Sequence, residues 1–173
     1  GNSEYYSYDN NGNLLTYLNR YGNATVMTYD AKDNLLTHTD ALNHVTTFGY
    51  DSNGDLLFGT DANGNTTTYE YDLLHQLKKI TLPNGETRRY WYDGNGNAVL
   101  HENEAGEQIA VTYDAMNRTV ALNEVGNANV YCFYQYDLAG NMIQASNQNA
   151  TSIFTYDLMG RLISETTRND KQA

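Results

Sequence analysis

The sequence has little with which to cross-link itself, break a strand or cross a membrane. One cysteine, Cys132, and one proline, Pro83, occur in 173 residues. A single thiol excludes an internal disulfide framework and any metal site built on several thiolates. No apolar run approaches the ~20 residues of a membrane-spanning helix, and no basic-then-apolar leader opens the chain. Basic residues are also few. Lys and Arg number 10 against 21 Asp and Glu, and the net charge of -11 argues against a nucleic-acid backbone as partner. In excess are 16 Tyr, 14 Gly and 23 Asn. Disordered chains are poor in aromatics, so this composition describes a folded chain with many turns.

The excess is periodic. Tyr-Asp occurs at Tyr8-Asp9, Tyr29-Asp30, Tyr50-Asp51, Tyr71-Asp72, Tyr92-Asp93, Tyr113-Asp114, Tyr136-Asp137 and Tyr156-Asp157, at intervals of 21, 21, 21, 21, 21, 23 and 20 residues. Four residues after each Tyr stands a turn former (Gly12, Asp33, Gly54, His75, Gly96, Asn117, Gly140 or Gly160). A second turn residue follows ten positions later in most repeats, as at Gly22, Asn43, Gly64, Gly85 and Gly106. Gly and Asn tolerate the positive φ of hairpin turns, and two turn signals about ten residues apart are the spacing of short hairpin strands. Before each Tyr the pattern has period 2. Met27, Phe48, Tyr69, Tyr90, Val111, Tyr134 and Phe154 lie two before the Tyr, with mostly polar residues between.

The fold expected is all-β: tandem ~21-residue β-hairpin repeats forming one coiled antiparallel β-strip of about sixteen strands, roughly 75 Å long at the strand spacing. Residues 1–173 read as a single repeat domain, and as a fragment of a larger protein. The two extra residues of the 23-residue interval are placed in the Asn123–Asn129 turn.

"YDNNGNLL" at Tyr8–Leu15, "YDLAGNMI" at Tyr136–Ile143 and "YDLMGRLI" at Tyr156–Ile163 carry a resemblance to the Rhs/YD-repeat family, which covers the chain from Tyr6 to Thr166. "DANGNTTTYEYD" at Asp61–Asp72 resembles the family's second half-repeat, and "YDLLHQLK" and "YDAMNRTV" are degenerate copies. Bacterial Rhs toxins, the B/C components of insecticidal toxin complexes, wall-associated proteins and teneurins belong to this family. The resemblance implies a spiralling β-strip that walls a hollow shell, a scaffold and not a catalyst. Toxin-releasing members end their core in a DPxG-type motif with cleaving aspartates. This sequence has no Asp-Pro, so any such segment and any C-terminal toxin are expected outside it.

Each conspicuous residue class has a functional and a structural reading. Acids in adjacent repeats stand roughly 10 Å apart, near the carboxylate spacing of an inverting glycosidase, yet no pair is singled out. The structural reading is that each Asp accepts backbone N–H bonds in the turn it opens. The repeat tyrosines read as a stacked ladder on one face. Tyr5, Tyr17, Tyr21 and Tyr131 lie off that ladder and are the candidate glycan contacts. "DSNGD" (Asp51–Asp55) and "DANGN" (Asp61–Asn65) suggest weak calcium binding but lack the rest of a calcium loop. His38 and His101 are too far apart to share a metal, and His44 and His75 read as solvated turn residues. Cys132 reads as a small strand residue.

No catalytic residue, metal or cofactor is expected. The function expected is a non-enzymatic piece of shell wall that encloses or displays a toxin or other cargo, secreted or at a bacterial cell surface. Its partners are the rest of its parent shell and that cargo. The alternative is an extracellular carbohydrate- or protein-binding module. Residues six and seven after each Tyr, such as Leu35 and Leu36, read as facing opposite sides. Both sheet faces and both edge strands are then left uncovered, and self-association is expected.

Overall fold

The computed structural model describes residues 3–127 and 130–170, with side chains throughout except at 130 and 131. Eight odd-numbered strands each end on a repeat tyrosine: β1 (Tyr5–Tyr8), β3 (Ala24–Tyr29), β5 (Val45–Tyr50), β7 (Thr66–Tyr71), β9 (Thr87–Tyr92), β11 (Gln108–Tyr113), β13 (Val130–Tyr136) and β15 (Ala150–Tyr156). The even strands follow the Tyr-Asp turns: β2 (Leu14–Leu18), β4 (Leu35–Thr39), β6 (Leu56–Thr60), β8 (Leu77–Thr81), β10 (Ala98–Glu102), β12 (Thr119–Glu124), β14 (Met142–Ser146) and β16 (Leu162–Asn169). They are hydrogen-bonded in chain order in one open antiparallel sheet, with no helix among the described residues. Two compact units divide the chain, Gly1–Thr87 and Arg88–Ala173.

The turn chemistry follows the residues. Each Tyr-Asp turn closes a three-residue hairpin loop. In the first, the Asp9 amide donates to the Asn13 carbonyl (3.0 Å) and the Gly12 amide to the Asp9 carbonyl (3.3 Å). The fourth residue after each Tyr takes positive φ in all eight repeats, including the non-glycines Asp33 (65°), His75 (63°) and Asn117 (59°). That is the left-handed position of a type I turn closed by a bulge. Degenerate repeats therefore keep the turn with a residue that carries a side chain. In the longest repeat Gly126 supplies the positive φ (86°), and the β12–β13 register also steps between Leu122 and Asn123.

A bulge in every Tyr-Asp hairpin corrects one sequence expectation. Tyr29 pairs with Leu35, but Thr28 pairs with Thr37, which leaves Leu36 as the extra residue. The same step occurs at Tyr113–Thr119 and Thr112–Ala121, with Val120 extra. Directly paired residues share a face, so Leu35 lies with Tyr29 and Thr37 with Thr28. Alternation resets through Leu36, and the inference that Leu35 and Leu36 face opposite sides fails because the pleat is broken between them.

The register sorts the faces. In the first unit Met27 stands opposite His38, Phe48 opposite Gly59 and Tyr69 opposite Ile80, on the tyrosine face. In the second unit Tyr90 meets His101, Val111 meets Leu122 and Tyr134 meets Ala145. Val111, at 7% exposure, is the one buried hydrophobic residue among the described residues. A sheet with so small a core leans on cross-strand pairs. On the opposite face the Thr28 and Thr37 hydroxyls meet at 2.6 Å, the Lys79 ammonium donates to Glu70 at 2.8 Å, and the Thr155 and Ser164 hydroxyls meet at 2.7 Å.

Candidate functional site

The repeated Tyr-Asp step is the chemistry-bearing element, and its carboxylates are occupied locally. One Asp9 oxygen accepts the amides of Asn11 (2.9 Å) and Asn13 (2.8 Å), while the other accepts the Asn13 carboxamide (3.0 Å). Asp30, Asp93, Asp114 and Asp157 accept the same pair of backbone amides, at two and four residues on. Hydrogen bonds to the ionised form hold the Asp9, Asp30, Asp51, Asp93, Asp114, Asp137 and Asp157 carboxyls below the ordinary aspartate range. General acid catalysis needs a carboxyl that stays protonated, and these are pushed the other way.

A second row of Asx residues was missed by reading the sequence. Eleven positions after the Tyr, Asn19, Asp40, Asp61 and Asn103 each accept the amides two and four residues on, using the same device at the other turn. Their shared spacing was the available signal.

The expected ring ladder is absent at Tyr29, Tyr50 and Tyr71. Among the described residues no stacked contact joins Tyr29, Tyr50 and Tyr71. Close ring pairs do occur elsewhere, as at Tyr6–Tyr17, centroids 5.0 Å apart, and Tyr90–His101, 6.2 Å apart. Tyrosines of adjacent repeats are two strands, about 10 Å, apart, beyond the ~7 Å limit of ring pairing, and the intervening strand's side chain lies between. Four of the hydroxyls instead reach back one repeat. Tyr29 donates to the Leu14 carbonyl (3.1 Å), Tyr113 to Ala98 (3.0 Å), Tyr136 to Thr119 (2.9 Å) and Tyr156 to Met142 (2.8 Å). The acceptor is always the first residue of an even strand, beside the bulge that interrupts its ladder.

The turns also tie adjacent repeats. Asn13 donates through its carboxamide to Asp33 (2.6 Å), Asn97 to Asn117 (2.9 Å), and the His75 ring pairs with Asp55 (2.5 Å). Hydrogen bonding to Asp55 raises the His75 pKa, so His75 is a repeat-to-repeat contact and not merely solvated. Arg118 is gripped by Asp114, and its guanidinium carbon lies 4.5 Å from the centre of the Tyr136 ring.

The remaining candidates are scattered. Tyr17 is opposite Tyr6 in the register and so shares its face, while Tyr5 points to the other. Tyr21 tips a turn at 78% exposure. The Tyr131 side chain lies outside the described residues. Asp51–Asp55 and Asp61–Asn65 sit at opposite ends of β6, so those acidic turns do not converge. Among the described residues no group of three or more His, Cys, Asp or Glu could hold a metal. Cys132 is a free thiol on β13, opposite Leu122. No helix among the described residues is long and apolar enough to cross a membrane.

Comparison with known proteins agrees with this geometry. The crystal structure of TcdB2-TccC3 matches with a TM-score of 0.77 at 19% identity, over 94% of this chain and 11% of that one. The pore of the Photorhabdus luminescens Tc holotoxin matches at 0.69 and 18% identity, over 85% of this chain and 9% of that one. The chain spans about a tenth of the length of these structures, and at such identity the likeness shows the fold alone. Among curated protein sequences none matches the chain. The RHS Repeat family matches residues 29–57, and the Teneurin YD-shell family matches residues 57–172. With most of its length so matched, the chain belongs to the teneurin YD-shell family.

Proposed function

We propose that the chain is a stretch of shell wall, non-catalytic in itself, that encloses or displays a toxin or other cargo as part of a larger exported or surface-bound bacterial protein. One observation carries this reading. The repeated polar groups are consumed in holding turns and neighbouring repeats together: aspartates on their own turn amides, tyrosine hydroxyls on the preceding repeat's carbonyls. A wall needs that cohesion and no converging site. The structural neighbours lend support, since one structure that shares the fold is that of a Tc holotoxin pore.

The test is protease protection of the parent protein that contains this chain. A wall predicts that limited proteolysis leaves a segment outside the repeats intact until the repeats are unfolded by denaturant. A parent in which every non-repeat segment is cut at the rate of an unfolded peptide refutes enclosure. Saturable binding to a glycan array, lost on Tyr17→Ala or Tyr21→Ala, would favour the carbohydrate-binding alternative.

A further inference from the structure

Five Asn-Gly steps recur in the turns: Asn11-Gly12, Asn53-Gly54, Asn63-Gly64, Asn84-Gly85 and Asn95-Gly96. Such a step can modify itself. The glycine nitrogen, unhindered because its residue lacks a Cβ, attacks the asparagine carboxamide carbon. A bond forms between that nitrogen and Cγ, the Cγ–Nδ2 bond breaks, and ammonia leaves with the amide proton. Water then opens the resulting succinimide at either carbonyl, giving aspartate or isoaspartate. Water is the one co-reactant, and nothing is oxidised or reduced.

Exposure does not rank the five steps, since all five asparagines are exposed. Neither does the turn bond, because each glycine amide donates to the carbonyl two residues before its asparagine. The carboxamides differ. Asn11 donates to the Asp33 carboxylate at 2.8 Å. The Asn84 side-chain oxygen accepts the Glu86 amide at 3.1 Å. Asn53 and Asn95 reach Asp51 and Asn117, both at 3.5 Å, and the Asp51 carboxylate also holds the Gly54 amide at 2.9 Å. Asn63 alone of the five has a carboxamide without a hydrogen-bond partner among the described residues, while its backbone amide is fixed on Asp61 at 2.9 Å.

We propose that Asn63 is a site of spontaneous modification, the fastest Asn-Gly step of this chain to become isoaspartate. A bonded carboxamide must be released before it can turn onto the glycine nitrogen. For Asn11 the acceptor is charged, and the bond slows ring closure about tenfold. The product alters the turn between β6 and β7. Isoaspartate runs the backbone through the side-chain carbonyl and so adds a methylene to the loop. Asp61 closes that loop by accepting the Asn63 and Asn65 amides, both at 2.9 Å, and the longer loop does not fit both bonds. A second carboxylate also arrives beside Asp61. The β6–β7 hairpin is thus the turn that weakens first as the protein ages.

The test is to age the full chain at mildly alkaline pH in water enriched in heavy oxygen and to map its peptides by mass spectrometry. The Asn63 peptide should take up the label first, mostly as isoaspartate, with Asn11 about tenfold slower. In the urea-denatured chain the five rates should converge. Asp33→Gly removes the acceptor of Asn11 and suits the positive φ of 65° at that position. It should speed Asn11 about tenfold and leave Asn84 unchanged. A folded chain in which Asn63 reacts no faster than Asn11 overturns the proposal. So does an Asn63 that stays intact while the denatured chain reacts, an Asn11 rate indifferent to Asp33→Gly, or reaction at Asn63 that yields no isoaspartate.

Discussion

Tyr113→Phe isolates the bond that joins one repeat to the one before it. The Tyr113 hydroxyl donates to the Ala98 carbonyl at 3.0 Å, fifteen residues upstream. Removing the oxygen leaves ring packing in place and deletes one hydrogen bond. Tyr113 and Ala98 are only half-buried. Water therefore reaches the orphaned carbonyl, and the full ~1–3 kcal/mol desolvation penalty does not apply. The expected loss is the net value of an ordinary hydrogen bond, about 1 kcal/mol. In a unit of this size that corresponds to roughly 4–8 °C in Tm. Tyr113→Ala deletes the ring as well. Full burial would make that cost ~3–5 kcal/mol, and half-burial brings it to about 2 kcal/mol. Urea denaturation followed by far-UV circular dichroism and by fluorescence of the single Trp91 measures both. Tyr21→Phe is the control, since that ring is 78% exposed at a turn tip. In a repeat protein the bond is an interface contribution, so its loss should also broaden the transition. If Tyr113→Phe matches Tyr21→Phe within ~0.3 kcal/mol, below what a surface change costs, the hydroxyls do not couple the repeats.

Acid should unfold the chain early. The seven repeat carboxyls held below the ordinary range contribute stability that is present above the unfolded aspartate pKa of about 3.9 and lost as pH falls through their lower folded values. Tm measured downward from neutral pH should fall in that window, and a flat profile there contradicts the turn assignment. His75 has the opposite sign: its raised pKa gives stability that is full below about pH 6.5 and lost as pH rises through the folded value. His75→Asn should remove that alkaline decline and leave the acid limb. Gly49→Ala would place a Cβ 2.2 Å from the Phe58 ring and force it outward, at about 1–3 kcal/mol. The double variant Gly49→Ala/Phe58→Ala should cost less than the sum of the singles, as a thermal-melt cycle can show. Arg118→Lys should lower Tm more than Arg161→Lys, because only Arg118 has a tyrosine ring beneath it.

The sequence by itself determined the strands, the turns and the family. A repeat written eight times in register averages out local ambiguity, and positive φ is so costly for most side chains that Gly, Asn and Asp mark the turns wherever they recur. Even His75 and Asn117 were placed correctly by period alone. What only the tertiary structure decided depends on how neighbouring strands meet. The bulge at Leu36 and its equivalents leaves no mark on composition, because two adjacent apolar residues read the same whether or not the pleat is broken. The destination of the tyrosine hydroxyls was equally hidden. A period-2 pattern tells which face a ring occupies, but not that the neighbouring ring is too distant to stack. Nor does it tell that a backbone carbonyl, left free beside a bulge, lies within reach.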